Sequence, residues 1–135
     1  MNPSLMKIIA SVAVMLAASA GAAQENPYPG RTGLAFPEGT PETTATCADL
    51  AATIRDLQVP VHERVDLWAS GPVTVVDTDR VLWYIGICEK PGIRVLCVTY
   101  SDNGMQIGDN VTVRGALRIQ DARHILLDPC LASED

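Results

Sequence analysis

Hydrophobic and polar residues alternate along the second half of the chain, which is the pattern of strands with one buried face. Gly71 interrupts the first alternating stretch and predicts a bulge or a sharp bend within that strand. Turn signals separate the stretches at short and even intervals, so the pattern favours a small barrel or sandwich. The predicted strands are 64–77, 81–88, 94–100, 110–119 and 124–128.

A helical period precedes these strands. Thr46 and Asp49 have the spacing of a capping box, in which both side chains can satisfy free backbone groups of the first turn. The apolar stripe that follows consists of Leu50, Ile54 and Leu57. Since Pro60 ends the pattern, the sequence predicts a helix over 47–58. A helix this short is marginal alone in water, so its stripe must dock on the rest of the domain.

Residues 1–22 have the organisation of a secretory signal peptide. Lys7 precedes an apolar run over 8–18, and small residues follow as far as Ala22. The run of about 11 residues is shorter than the roughly 20 that cross a bilayer. We therefore expect cleavage on export, a periplasmic or secreted location, and no membrane insertion of the mature chain. The alternative is a retained membrane anchor.

The next segment, 23–45, mixes prolines with glycines. Proline fixes φ and removes a backbone donor, while glycine adds backbone freedom, so we expect no helix or strand here. We interpret the segment as a flexible tether, with 46–135 as one domain that contains the helix and the strands. Tyr28 and Phe36 either lie loosely on that domain or form a short partner-binding motif.

Charge and composition narrow the functional classes. The chain has 135 residues, of which 16 are Asp or Glu and 10 are Lys or Arg, for a formal net charge of -6. Proteins that bind nucleic acids need clustered cations, so we expect no nucleic-acid partner. Aromatic residues make up only 4% of the chain, so the core must consist of aliphatic side chains.

Four stretches of the predicted strands together indicate a family. They are Gly-Pro-Val at 71–73, Val-Leu-Cys-Val-Thr-Tyr at 95–100, Gly-Asp-Asn-Val-Thr-Val-Arg-Gly at 108–115, and Ile-Leu-Leu-Asp-Pro-Cys at 125–130. As a set, within residues 64–131, they resemble the small exported OB-fold domains of the tRNA_anti-like family. The resemblance implies a mainly β fold, a five-stranded OB-fold-like barrel with one N-terminal α-helix packed on it. The acidic charge argues against tRNA as a ligand.

The four cysteines, Cys47, Cys88, Cys97 and Cys130, are an even number in a chain that we expect to be exported. This favours two disulfides, and four cysteines allow three pairings. The OB-fold resemblance places the third and fifth strands side by side and parallel, which implies Cys97–Cys130 and therefore Cys47–Cys88. The chief rival joins Cys88 to Cys97 and Cys47 to Cys130. No C-x-x-C pair is present, so we expect no metal site and no cofactor.

No recognisable catalytic motif is present, and we assign no catalytic residue. His62 and His124 are far apart in sequence and belong to no nucleophile motif. Asp77 and Asp79 are typical of a turn in which carboxylates accept hydrogen bonds from nearby backbone amides. A weak calcium site that also uses Asp66 is the alternative.

The OB-fold resemblance implies a ligand site across the second and third strands and the adjoining loops. The candidate ligand-binding residues are Trp68, Trp83, Tyr84, Tyr100 and Arg94. Trp68 points away from the predicted core by strand parity. It is therefore either exposed to a ligand or covered by the helix over 47–58, and we favour the covered arrangement because the helix stripe needs a partner.

These observations predict an exported, non-enzymatic module, monomeric, that binds a protein partner or a small ligand at the cell envelope. Two alternatives stay open. One is an envelope hydrolase or an enzyme accessory subunit with an unrecognised site near His124 or His62. The other is a structural or stress-related domain without a dedicated ligand.

Overall fold

The structure is a computed structural model that describes residues 28, 30–36 and 39–135. The predicted signal peptide and parts of the predicted tether lie outside the described residues. Within these residues the chain is mostly β, with two short strands and one short helix before five longer strands. The five longer strands are β3 (Asp66–Thr78), β4 (Trp83–Ile87), β5 (Arg94–Thr99), β6 (Asn110–Asp121) and β7 (His124–Glu134).

These five strands close into a barrel. The hydrogen-bonded order is β3-β4-β5-β7-β6, and β6 pairs in turn with β3. All neighbours are antiparallel except β5 and β7, which are parallel. Closure gives each of the five strands a hydrogen-bonded neighbour on both sides over part of its length. A mostly β fold with a closed five-stranded barrel is therefore confirmed.

β3 serves two neighbours because it bends. Its first half, from Asp66 to Pro72, pairs with β6, and its second half, from Val73 to Thr78, pairs with β4. The change of partner falls beside Gly71, where the sequence predicts the bend. The interior is aliphatic as expected. Its largest fully buried side chains include Leu67, Ile85, Ile87, Val95, Val111, Val113, Ile125 and Leu127.

Two short strands correct the prediction that no strand occurs between residues 23 and 45. β1 (Leu34–Ala35) pairs antiparallel with β3, and β2 (Ala45–Thr46) pairs with it in parallel. Leu34 and Ala45 are buried in the core. Two-residue strands are too short to produce a periodic pattern, so the proline and glycine content dominated the prediction.

The helix is shorter than predicted and is not the first element. A 3-10 turn at Cys47–Asp49 leads into α1 (Leu50–Ile54), so the prediction that the helix extends to residue 58 is wrong. The chain leaves the helix at Arg55, and the next residue, Asp56, has a φ of +52°. The Asp49 carboxylate accepts hydrogen bonds from the Thr46 amide and hydroxyl, as the capping pattern indicates. Leu50 and Ile54 pack into the barrel core.

The last strand is longer than predicted. β7 continues to Glu134, although the sequence predicts an end at residue 128. Pro129 cannot donate to a strand ladder and so suggests a strand end. The register between β6 and β7 shifts between Gly115 and Leu117, opposite this proline, and the ladder then resumes. Gly115 and Leu117 are two residues apart, whereas their partners Cys130 and Leu127 are three apart, so the extra residue of this bulge lies in β7 itself. Pro129 therefore lies where the ladder is interrupted and needs no donor there.

The disulfides are Cys47–Cys88 and Cys97–Cys130, which confirms the pairing implied by the OB-fold resemblance. Cys97 lies on β5 and Cys130 on the parallel neighbour β7. The other bond joins the 3-10 turn before α1 to the end of β4. Both bonds link segments that are distant in sequence, so they restrain the closed barrel.

Candidate functional site

An open groove crosses the outer face of β4, β5 and β7. We call it the aliphatic groove, and its volume is about 440 Å³. Its floor consists of Gly86, Leu96 and Leu126, with Val75 at one side and Arg94 and His124 at one end. Small-molecule sites commonly have volumes of about 300–1,000 Å³ and mostly apolar walls. The size and lining of the groove therefore fit a small ligand.

Strand register brings the floor together. Gly86 pairs with Leu96, and Leu96 pairs with Leu126, so the three residues form one row across the sheet. Their neighbours along each strand, such as Val95 and Ile125, point into the core. A Cβ at Gly86 would lie 3.0 Å from the Cβ of Val75. The glycine therefore allows β3 to lie close to the groove floor.

A chain of polar contacts closes one end of the aliphatic groove. His124 Nδ1 lies 2.8 and 2.9 Å from the two carboxylate oxygens of Asp121. An Arg94 guanidinium nitrogen contacts His124 Nε2. Because arginine can only donate, Nε2 must accept, and the ring proton must lie on Nδ1 and be donated to Asp121. Both ring nitrogens of His124 therefore have partners.

The Asp121 carboxylate has a second donor. The backbone amide of Arg123 donates to Asp121 at 2.8 Å. This amide bond and the His124 contact hold the pKa of Asp121 below its ordinary value, because both favour the charged carboxylate. Asp121 therefore stays ionised and fixes the orientation of the imidazole that Arg94 contacts.

The two histidines line different grooves. His62 is exposed and lies in a depression with Glu63, Ala116 and Asp128, whereas His124 lies in the aliphatic groove. No hydroxyl or thiol among the described residues is hydrogen-bonded to His124. The structure therefore does not bring the two histidines together into one acidic cleft.

Trp68 and Tyr100 lie in a second groove of about 410 Å³, on the outer face of β3, β6 and β7. We call it the tryptophan groove. Its floor is another row in register, in which Trp68 pairs with Arg114 and Arg114 with Leu131. The Arg114 guanidinium carbon lies 5.1 Å from the centre of the Trp68 ring, within the range of a cation–π contact.

The favoured prediction that the helix covers Trp68 is wrong. α1 directs Leu50 and Ile54 into the barrel interior, and Trp68 is half-buried on the opposite, outer face of β3. The helix stripe has its partner in the core, so it does not need the tryptophan. The groove residue that covers part of the Trp68 ring is Arg114.

Tyr84 and Trp83 lie in neither groove. The Tyr84 hydroxyl donates to Asp79 Oδ2 at 2.8 Å, and the amides of Val81 and Leu82 donate to Asp79 Oδ1 at 2.9 and 2.7 Å. These bonds lower the pKa of Asp79, with the Leu82 amide as the largest cause. The interpretation of Asp79 as a turn residue is therefore confirmed, and the hydrogen bond from Tyr84 stabilises the same turn.

The three aspartates of the alternative calcium site are not brought together. Asp66 lies at the start of β3 and is paired with Arg64 at 2.6 Å, whereas Asp77 lies at the other end of that strand. Within residues 28, 30–36 and 39–135, no group of three or more His, Cys, Asp or Glu side chains could hold a metal ion.

The sequence interpretation missed several groove residues. Leu96, Leu126 and Leu131 are apolar residues at outward positions of their strands, and this is the signal that could have identified them. Arg114 carries no such signal, because an arginine at an outward position is normal. Of the candidate ligand-binding residues, Arg94 lies in the aliphatic groove, and Trp68 and Tyr100 lie in the tryptophan groove.

Comparison with known proteins assigns no family. No protein-family model matches the chain, and no curated protein matches it significantly.

In the part of the chain that the structure describes, no helix has the length and apolar character needed to cross a bilayer.

Proposed function

We propose that this protein is an exported, non-enzymatic module with an OB-fold-like barrel that binds a small amphiphilic anion in the aliphatic groove. The strand order, with β5 parallel to β7, is compatible with the OB-like barrel that the resemblance implies. Two disulfides are consistent with a periplasmic or extracellular location, where such bonds persist. The module acts as a monomer at the cell envelope.

The observation that carries this proposal is an apolar floor ending at a half-buried arginine. Leu96 and Leu126 lie side by side on the outer face of the barrel, where water covers them when no ligand is bound. Arg94 lies one row further along the same face. An aliphatic chain that covers the floor would remove apolar surface from water, and its anionic group would reach the guanidinium.

Arg94 has N–H donors that its contact with His124 does not use and that could bind such a group. Its contact with His124 uses one guanidinium nitrogen, and no carboxylate of the described residues forms an ion pair with it. The half-buried position makes a charge-assisted hydrogen bond stronger than it would be at a fully exposed site. His124 and Asp121 hold the guanidinium in place, which reduces the entropy lost on binding.

The same contacts favour binding over hydrolysis. A histidine base needs a free ring nitrogen next to a nucleophile or a water molecule. Here the nitrogen that would accept a proton, Nε2, accepts from Arg94 instead. Asp121, His124 and Arg94 therefore form a positioning chain for a charged group of the ligand.

The test is titration of the mature protein with dodecanoate and with dodecyltrimethylammonium, two amphiphiles of equal chain length and opposite charge. We expect dodecanoate to bind with a Kd below about 1 mM and to shift the methyl resonances of Leu96 and Leu126. Arg94→Gln should weaken this binding about tenfold, because it removes a charge-assisted bond.

Arg55→Gln is the matched control, since Arg55 is an exposed arginine at the end of α1, outside both grooves. It should leave dodecanoate binding unchanged. Equal binding of the two amphiphiles, or resonance shifts elsewhere in the molecule, would refute the proposed ligand class. Hydrolysis of an ester probe that is lost in His124→Ala would favour the hydrolase instead.

A further inference from the structure

The tryptophan groove is a second candidate site, on a different face of the barrel from the aliphatic groove. From its geometry we infer that it binds an acidic sugar, a uronate residue of a polysaccharide, whose carboxylate is held by Arg114. This inference does not depend on the ligand proposed for the aliphatic groove. It rests on the state of Arg114, on the pair formed by Arg64 and Asp66, and on the exposed apolar surface around them.

Arg114 lacks an acidic partner in a chain with an excess of acidic residues. The chain has 16 acidic and 10 basic side chains, and yet no carboxylate of the described residues lies within ion-pair distance of this guanidinium. The other arginine of the groove, Arg64, is already paired with Asp66 through contacts of 2.6 and 3.4 Å. The tryptophan groove therefore holds one uncompensated positive charge, which is complementary to a single anionic group.

Trp68 holds that charge in a suitable position. The guanidinium carbon lies over the indole ring, 5.1 Å from its centre, so the cation is held against Trp68. The N–H donors of a guanidinium lie along its edge, in a fork that matches the two oxygens of a carboxylate. No hydrogen bond from the Arg114 side chain occurs among the described residues, so its donors can bind a carboxylate, and the contact with Trp68 reduces the freedom that binding must remove.

The rest of the groove offers surfaces for a sugar ring. Tyr100 is 80% exposed and Leu131 is 57% exposed, and both line the groove. Aromatic rings and aliphatic side chains can cover the apolar face of a pyranose, and carboxylate and guanidinium groups such as Asp66 and Arg64 can bond its hydroxyls. A uronate has a flat apolar face, hydroxyls and a carboxylate in one residue.

A peptide fits this face less well. Extended peptides usually bind a sheet by adding a strand to a free edge. At Arg114, the centre of the row, the backbone is paired on both sides, since β6 lies between β3 and β7. Backbone pairing is therefore not available at Arg114, and recognition there depends on side chains, as it does for sugars.

The experiment uses the mature protein with the probe tri-galacturonate, and with neutral galactotriose of equal length for comparison. The chain has two tryptophans, so the variant Trp83→Phe leaves Trp68 as the only indole reporter. We expect tri-galacturonate to change the Trp68 fluorescence and galactotriose to bind at least about tenfold more weakly. Arg114→Gln should weaken tri-galacturonate binding about tenfold, and Arg114→Lys should restore little of it, because lysine lacks the fork.

Arg118→Gln is the matched control. Arg118 is an exposed arginine on the same strand that does not line the tryptophan groove, so this variant should bind tri-galacturonate normally. Thermal unfolding of both variants checks that the exposed substitutions leave the fold intact. Equal losses in Arg114→Gln and Arg118→Gln, equal binding of the neutral trisaccharide, or no binding of tri-galacturonate would overturn the inference. Equal competition by a tri-glutamate peptide would show carboxylate recognition without a sugar and would overturn it too.

Discussion

At the scale of single residues, the turn between β3 and β4 is organised by one carboxylate. Asp79 accepts two backbone amides through one oxygen and the Tyr84 hydroxyl through the other. All three bonds favour the charged form, so the pKa of Asp79 is lowered in the folded state. The same contact raises the pKa of Tyr84, because a neighbouring negative charge and an acceptor both favour the protonated phenol.

This arrangement predicts a dependence of stability on acid. A carboxyl with a lowered folded pKa contributes stability above its unfolded value, near 3.8, and the contribution is lost as pH falls through the folded pKa. Asp79→Asn should therefore lower Tm at pH 7 and have a smaller effect at a pH below the folded pKa. The measurement is thermal unfolding between pH 2 and 7, with the exposed Glu63→Gln as control. An equal loss of Tm at every pH would contradict this explanation.

At the scale of elements, β3 pairs with more strands than any other strand of the described residues. It pairs with β1, β2, β6 and β4 along its length and changes partner near Gly71. The bend is the reason that the sequence suggests for a glycine at position 71, and the structure shows a second reason. A Cβ at this position would lie 2.4 Å from Cys47 Sγ and 3.1 Å from Cys88 Sγ. The Cys47–Cys88 disulfide therefore packs directly on the bare backbone of the strand.

Gly71→Ala should destabilise the protein by about 1–3 kcal/mol, the usual cost of an added methylene where there is no room. The relevant comparison is a double-mutant cycle with a background in which both Cys47 and Cys88 are alanine. Denaturant unfolding should show a much smaller cost of Gly71→Ala in that background, because the sulfur atoms are gone. An unchanged cost would mean that the strand conformation, and not the disulfide, requires the glycine.

The helix shows which features of an element a local sequence pattern can predict. The capping residues and the apolar stripe correctly placed its start and its buried side, because both depend on neighbours within a few residues. The predicted end was wrong, since the chain leaves the helix at Arg55 and then brings Leu57 against the core from an irregular segment. The end depends on where the core lies, and a local period does not contain that information.

At the scale of the whole molecule, two covalent bonds secure a small barrel. The cysteine pairs are separated by 41 and 33 residues in sequence. In the chain-entropy model, bonds that close loops of this size each stabilise the folded state by roughly 4 kcal/mol. That is a large share of the stability of a domain of this size, which is typically about 5–15 kcal/mol.

The mature protein isolated without reductant should therefore be about four daltons lighter than its reduced form, since each disulfide removes two hydrogens. Peptide mapping should recover Cys47 joined to Cys88 and Cys97 joined to Cys130. Reduction should lower Tm substantially, and the double variant Cys97→Ala, Cys130→Ala should retain only one bond. Recovery of Cys88 joined to Cys97 would contradict the structure.

The sequence by itself determined the β class and the expectation of two disulfides. It also located the five barrel strands, and for four of them both ends were correct to within a few residues. These features follow from local periodicity, turn residues and cysteine count, which are properties of short stretches of chain. The tertiary structure alone decided which outward side chains meet. Leu96 and Leu126, or Trp68 and Arg114, become neighbours through strand register, and register is fixed only when the barrel closes around its core.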